Sequence, residues 1–228
     1  MVTIHQPQYI PWLPYFLKIE AADTFIVLDS VDFQKNGLQN RNQIKTAQGA
    51  HWLTVPVRQR LGQAIVDVQI DDTSQWHKKH WATLLQNYRK APAFELYAGD
   101  LERLFEQSWP RLVDLNIEMI RLMLRWLGID RPMVRSSEMS SAGRASELVL
   151  NLCREAGATH YVSGTGGHAY LDEAAFAAAG IALTYLPPEL PREYPQQHPR
   201  AGFLNDLSAL DVLLNCGAEW RQFLPAAA

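Results

Sequence analysis

Apolar and polar positions set out the elements in order. Residues 2–5 (Val-Thr-Ile-His) form a short β-branched run that reads as a strand, and Pro7 and Pro11 stop its continuation as either strand or helix. Residues 12–21 repeat apolar positions at helical spacing, with Trp12, Phe16 and Ile19 along one face. Residues 24–29 are an apolar and β-branched run closed by Asp29, the pattern of a strand buried on both faces. A strand, a helix and a second strand in this order predict parallel pairing.

Residues 30–48 turn polar without becoming low in complexity, and residues 52–57 and 65–70 read as further strands around a Leu61-Gly62 turn. Helical periodicity then covers residues 76–89, 94–107 and 111–127; in the last, Leu112, Leu115, Met119, Leu122 and Trp126 form one stripe and Gly128 ends it. Alternation returns with Met133-Val134 as a strand, residues 145–156 as a helix stopped by Gly157, and residues 160–163 and 182–185 as strands. The fold class expected is α/β, a mostly parallel, doubly covered, Rossmann-like sheet with a helical insertion. With no internal repeat and no long linker, residues 1–228 are expected to form one domain, residues 75–128 being at most a helical subdomain.

Composition narrows the function classes. Of 228 residues, 47% are hydrophobic and 20% charged, enough for a substantial core. The 21 basic and 24 acidic side chains leave a net charge of -3, so no general positive field exists to hold nucleic acid. Neither a signal-like start nor a run of roughly 18 apolar residues is present, and a cytoplasmic protein off the membrane is expected. Cys153 and Cys216 lack metal-ligand spacing; Cys153, beside Leu148 and Leu152, reads as a buried structural thiol.

Three polar clusters stand out. The first, after the opening strand, holds His5, Gln6, Tyr9, Trp12, Tyr15 and Lys18, and ligands of open α/β sheets bind at strand carboxyl ends. His5 is the catalytic candidate, because an imidazole titrates near neutrality and can serve as general acid or base. The second combines Asp29, Asp32, Lys35, Gln39, Asn40, Arg41 and Asn42, a mixture suited to a hydroxyl-rich anionic ligand. The third holds Ser163, Gly164, Gly166, Gly167, Tyr170 and Asp172 between a strand and a helix, where glycines let backbone amides approach an anion or simply form a turn. It matches neither a Walker motif nor the dinucleotide fingerprint.

Tyr194 and Gln196, in a proline-rich loop, complete the candidate binding set, with Ser208, Asp211 and Asn215 bracing it from one helix face. His77 and His80 are spaced to share a metal but lack a matched carboxylate or thiol, so an exposed basic face is expected and no metal. No Gly-x-Ser-x-Gly elbow, His-Glu-x-x-His helix or activated cysteine supports a hydrolase or metalloprotease.

The strings HQPQYIPW and YFLK, then FIVLDSVDFQKNGLQNRNQIK and WLTVPV, then SGTGGHAYLD and LSALDVLLNCG, taken in order, resemble the WbqC-like family over nearly the whole chain. Pro14, Asp32 and Leu38 depart from the family's usual glycine, glutamine and tryptophan, the last two bearing on substrate identity. Members of that family are associated with genes for surface polysaccharides and modified sugars, and some are described as transferases that add glycine or a related acyl group to an aminosugar. The resemblance thus implies an enzyme moving an acyl or aminoacyl group to an aminosugar or sugar nucleotide. His5 would be the base, Lys18, Lys35 and Arg41 would bind anionic groups, and Gln6, Asn40 and Asp29 would orient the sugar. Two other readings stay open: a nucleotidyltransferase-like enzyme using ATP or CTP, although the second histidine and the glycine of its His-x-Gly-His loop are missing at residues 5–8, and a non-catalytic sugar- or nucleotide-binding protein. Each implies a small-molecule partner, a sugar or nucleotide-sugar, and the two enzyme readings a nucleotide or acyl donor; none specifies an oligomeric state.

Overall fold

The computed structural model describes residues 1–225. Strand β1 (Val2–His5) is followed by helix α1 (Leu13–Glu20) and strand β2 (Thr24–Val27). Two small hairpins come next, β3 (Arg41–Thr46) with β4 (Gly49–Thr54) and β5 (Val57–Arg58) with β6 (Gln69–Ile70). Helices α2 (Trp76–Tyr88), α3 (Phe94–Glu106) and α4 (Leu112–Leu127) lead to β7 (Met133–Arg135), α5 (Ala145–Glu155), β8 (His160–Gly164), α6 (Glu173–Ala178), β9 (Ala182–Leu186) and α7 (Ala209–Cys216).

Five strands make the central sheet in the order β7-β2-β1-β8-β9, and every pairing is parallel. From β1 the chain runs outward through β2 to β7 and then returns to lay β8 and β9 on the other side, so the order reverses between β1 and β8. That reversal opens a crevice at the carboxyl ends of β1 and β8, the place where ligands of such sheets bind.

Strand alternation explains the double cover. Val2, Ile4 and Ile26 face a cluster with Leu148, Leu152 and Cys153 of α5 and Phe176 of α6, whereas Phe25 and Val27 face Phe16 and Ile19 of α1 and the larger cluster of α2, α3, α4 and α7. The helical insertion therefore shares a continuous core with one face of the sheet. Gly128 closes α4 at φ 70°, a left-handed position open to glycine without steric penalty.

The segment from 30 to 70 departs from the expectation. Arg41–Thr46 is a strand although its apolar content is a single isoleucine, because β4 across the hairpin, not an apolar face, supplies its partners. Residues 65–70 form a 3-10 turn and a two-residue strand, and none of this segment joins the central sheet. Among the described residues no helix is long and apolar enough to cross a membrane.

Candidate functional site

The chain leaves β1 through residues 6–12, where Ile10 takes φ 38°, costly for a β-branched residue. Asn42 Nδ2 donates to the Ile10 carbonyl at 2.9 Å and Asn116 Nδ2 to the Pro7 carbonyl at 3.3 Å, which pins this irregular backbone. Pro14 opens α1, where its fixed φ fits and its missing N–H is not needed. One consequence is that α1 returns over β1 and sets Lys18 beside His5.

His5 packs edge to face on Tyr15, ring centroids 4.9 Å apart, and Tyr15 donates its hydroxyl to the Gln6 carbonyl at 3.2 Å. His5 Nδ1 is 3.0 Å from the same carbonyl, which can only accept, so the proton of the neutral ring sits on Nδ1. Nε2 makes no hydrogen bond among the described residues and keeps its lone pair on a half-buried ring that lines the crevice. Burial and the neighbouring Lys18 charge push the His5 pKa down to about 3.

Lys18 is 7% exposed, and its ammonium reaches one acceptor, the Ile4 carbonyl at 3.4 Å. No carboxylate lies within ion-pair distance of it among the described residues. Desolvation lowers its pKa to about 7, so a side chain expected from the sequence to be a plain cation titrates near neutrality.

Around these two groups the crevice has two lobes. The larger, about 540 Å³, is walled by Trp12, Tyr15, Leu17, Leu186, Pro187 and Pro188. The smaller, about 270 Å³, is lined by Gln6, Ser163, Tyr161, Gly167 and Tyr170. His5, Lys18, Gly164 and Gly166 border both lobes. The first and third sequence clusters thus meet. A Cβ on Gly164 or Gly166 would meet nothing within 4 Å, whereas one on Gly167 would collide with Ser163 Oγ. The first two glycines keep space open in front of the backbone; the third is required by packing.

The second cluster does not reach the crevice as a unit. Apart from the Asn42 bond to the Ile10 backbone, its one side-chain to side-chain hydrogen bond to the first, among the described residues, runs from Gln39 Nε2 to Gln6 Oε1 at 2.7 Å. Asp29, expected to orient a ligand, is fully buried and accepts from Arg135 Nε at 2.7 Å, Ser136 Oγ at 3.1 Å, and Ser137 N and Oγ at 2.9 Å. It ties β2 to the end of β7. Asn40 is buried and donates to the Val55 carbonyl; Arg41 lies over the Trp52 ring, 4.5 Å from its centroid; Lys35 is exposed and borders neither lobe.

Four more candidates belong elsewhere. Tyr9 is fully buried and bonds His80 Nδ1 at 2.8 Å. Asp172 caps α6 by accepting from Ala175 N at 3.0 Å. Tyr194 and Gln196 both bond Asp211 Oδ1 at 2.7 Å, in a buried network that also takes in Tyr88 and Lys45. Burial raises the pKa of Asp211, and four donors, Tyr88, Tyr194, Gln196 and Asn215, hold it in place with Lys45 bonded to Gln196, which makes this a brace between α7, β3 and the preceding loop. His80, expected on an exposed basic face, is 6% exposed with its pKa lowered by burial to about 4. Among the described residues no group of three or more His, Cys, Asp or Glu could hold a metal ion.

Thr165 and Leu17, which stood in the clustered segments without being singled out, border the crevice, as does the Leu186-Pro187-Pro188 wall, which lies outside all three clusters. Their one available signal was position, Thr165 and Leu186 standing where β8 and β9 end.

Comparison with known proteins gives one family and one relative. The model of the WbqC-like protein family matches residues 6–223. The chain is similar to the uncharacterized protein Rv1507c of Mycobacterium tuberculosis (strain ATCC 25618 / H37Rv), 38% identical over 226 residues, which are 98% of this chain and 96% of that one. No solved structure matches.

Proposed function

Because the chain belongs to the WbqC-like protein family, we propose that it is a transferase moving an acyl or aminoacyl group, glycyl being one candidate, to the amino group of an aminosugar or sugar nucleotide. The reading rests on one juxtaposition above all: an unprotonated imidazole nitrogen and a buried ammonium share a two-lobed crevice at the strand reversal.

In this mechanism the sugar amine attacks the carbonyl carbon of the donor. The C–N bond forms, the bond to the leaving group breaks, and the amine proton passes to His5 Nε2 and on to the leaving group. Gln6 and Tyr170 orient the sugar, while Trp12 and Tyr15 wall the site. His5 with its lowered pKa is by itself a weak base; an anion bound beside it and Lys18 raises its proton affinity. The acylated product would enter surface-polysaccharide or modified-sugar synthesis in the cytoplasm.

The test is incubation with aminosugars and aminosugar nucleotides against acyl thioester, acyl phosphate and aminoacyl donors, read by mass spectrometry. An N-acylated product lost in His5→Gln supports the assignment. Tight binding without any product would favour a binding protein, and diphosphate release from ATP or CTP would favour nucleotidyl transfer.

A further inference from the structure

We propose that the crevice takes its sugar as a nucleoside diphosphate derivative, with the diphosphate at Lys18 and Gly164–Gly166, the nucleoside in the larger lobe and the sugar in the smaller. The sugar's place rests on the transferase reading; the diphosphate's place stands on the geometry of Lys18.

A buried ammonium with one long hydrogen bond and no carboxylate leaves most of its desolvation cost uncompensated, and an anion at the same spot would supply the missing partner. The groups bordering both lobes are Lys18, His5, Gly164 and Gly166, so an anionic linker between two differing moieties fits their junction. At both glycines the space in front of the backbone is open, allowing close approach. Flat walls of Trp12, Pro187 and Pro188 suit a nucleobase, and the amide of Gln6 and the hydroxyl of Tyr170 suit a sugar ring. Two carboxylates also border the larger lobe. Glu20 is paired with Arg221, and exposed Glu189 repels phosphate from the outer end, toward Lys18.

Binding then carries a proton. In the free protein Lys18 is only partly charged near pH 7; the bound diphosphate draws it fully to the ammonium. The other titratable groups around it are His5 on β1, Tyr15 and Glu20 on α1, Tyr161 on β8, and Tyr170 and Glu189 on loops. Among these His5 is the second group whose proton affinity the anion raises.

Calorimetric titration with uridine diphosphate, inorganic pyrophosphate and uncharged monosaccharides between pH 7 and 8.5, in buffers of differing ionisation enthalpy, tests this. Uridine diphosphate should bind with proton uptake and weaken about tenfold across that range, because only the protonated lysine binds. Lys18→Arg should bind with little pH dependence, Lys18→Met should lose at least about tenfold, and Gly166→Ala should lose binding while melting as the wild type does. Binding that ignores pH, or that survives Lys18→Met and Gly166→Ala unchanged, overturns the inference. A free aminosugar that binds and is acylated while the diphosphate does not bind overturns the inference and leaves the transferase standing; the reverse result, diphosphate binding with no acylation, does the opposite.

Discussion

Lys18 Nζ lies 3.4 Å from the carbonyl oxygen of Ile4, and that one backbone dipole is its only hydrogen-bond acceptor among the described residues. An ammonium so held is destabilising where it is charged. Its folded pKa, about 7, lies below the ordinary 10.5, so between these values the unfolded chain binds more protons and stability rises with pH. Below pH 7 the full penalty applies. Lys18→Met should therefore stabilise the protein by a few kcal/mol, roughly, at pH 6, and flatten the rise between pH 7 and 10 in urea unfolding.

His5 and His80 are bases with lowered folded pKa values, about 3 and about 4 against 6.5. Their contribution is complete above pH 6.5 and drains away as pH falls, each at ~1.4 kcal/mol per pH unit. Unfolding at pH 5 should be easier than at pH 7 by a few kcal/mol, roughly. His80→Gln, which keeps an acceptor for the Tyr9 hydroxyl, should remove about half of that loss.

Asp29→Ala should cost ~3–5 kcal/mol, because Arg135 and two serines would lose their shared buried acceptor. In the fraction that stays folded, ligand affinity should be unchanged. A selective loss of affinity with stability intact would return Asp29 to the binding site.

Gly167→Ala should destabilise by ~1–3 kcal/mol, since the methyl carbon meets Ser163 Oγ, Leu171 Cδ1 at 2.9 Å and Tyr185 Cε1 at 3.1 Å. Gly164→Ala, at φ -78° with nothing within 4 Å, should leave the melting temperature unchanged and obstruct ligand. Thermal melts of the two variants side by side separate the packing glycine from the open one.

Removing the proposed base with His5→Ala should lower turnover by ~10²–10⁴-fold. Arg41→Ala and Lys35→Ala should stay within about twofold, because neither residue borders the crevice. Steady-state kinetics of the three variants checks the division.

The parallel strands, the three middle helices and the family were legible in the residues, because burial periodicity and separated motifs are local properties of a chain. So was the importance of the 5–18 and 163–170 segments, each set where a buried strand ends. The 41–46 strand was hidden because its stabilisation comes from pairing across a hairpin, which leaves no apolar period to read. Composition could not tell which polar residues face a ligand and which satisfy one another: Asp29 and Gln196 carry the same chemistry as binding groups, yet Arg135 and Asp211, 106 and 15 positions away, claim them. A proton affinity is likewise set by what surrounds a group. Lys18 became an amine titrating near neutrality when α1 folded back over β1 and buried it, and His5 became a neutral acceptor beside it at the wall of the crevice.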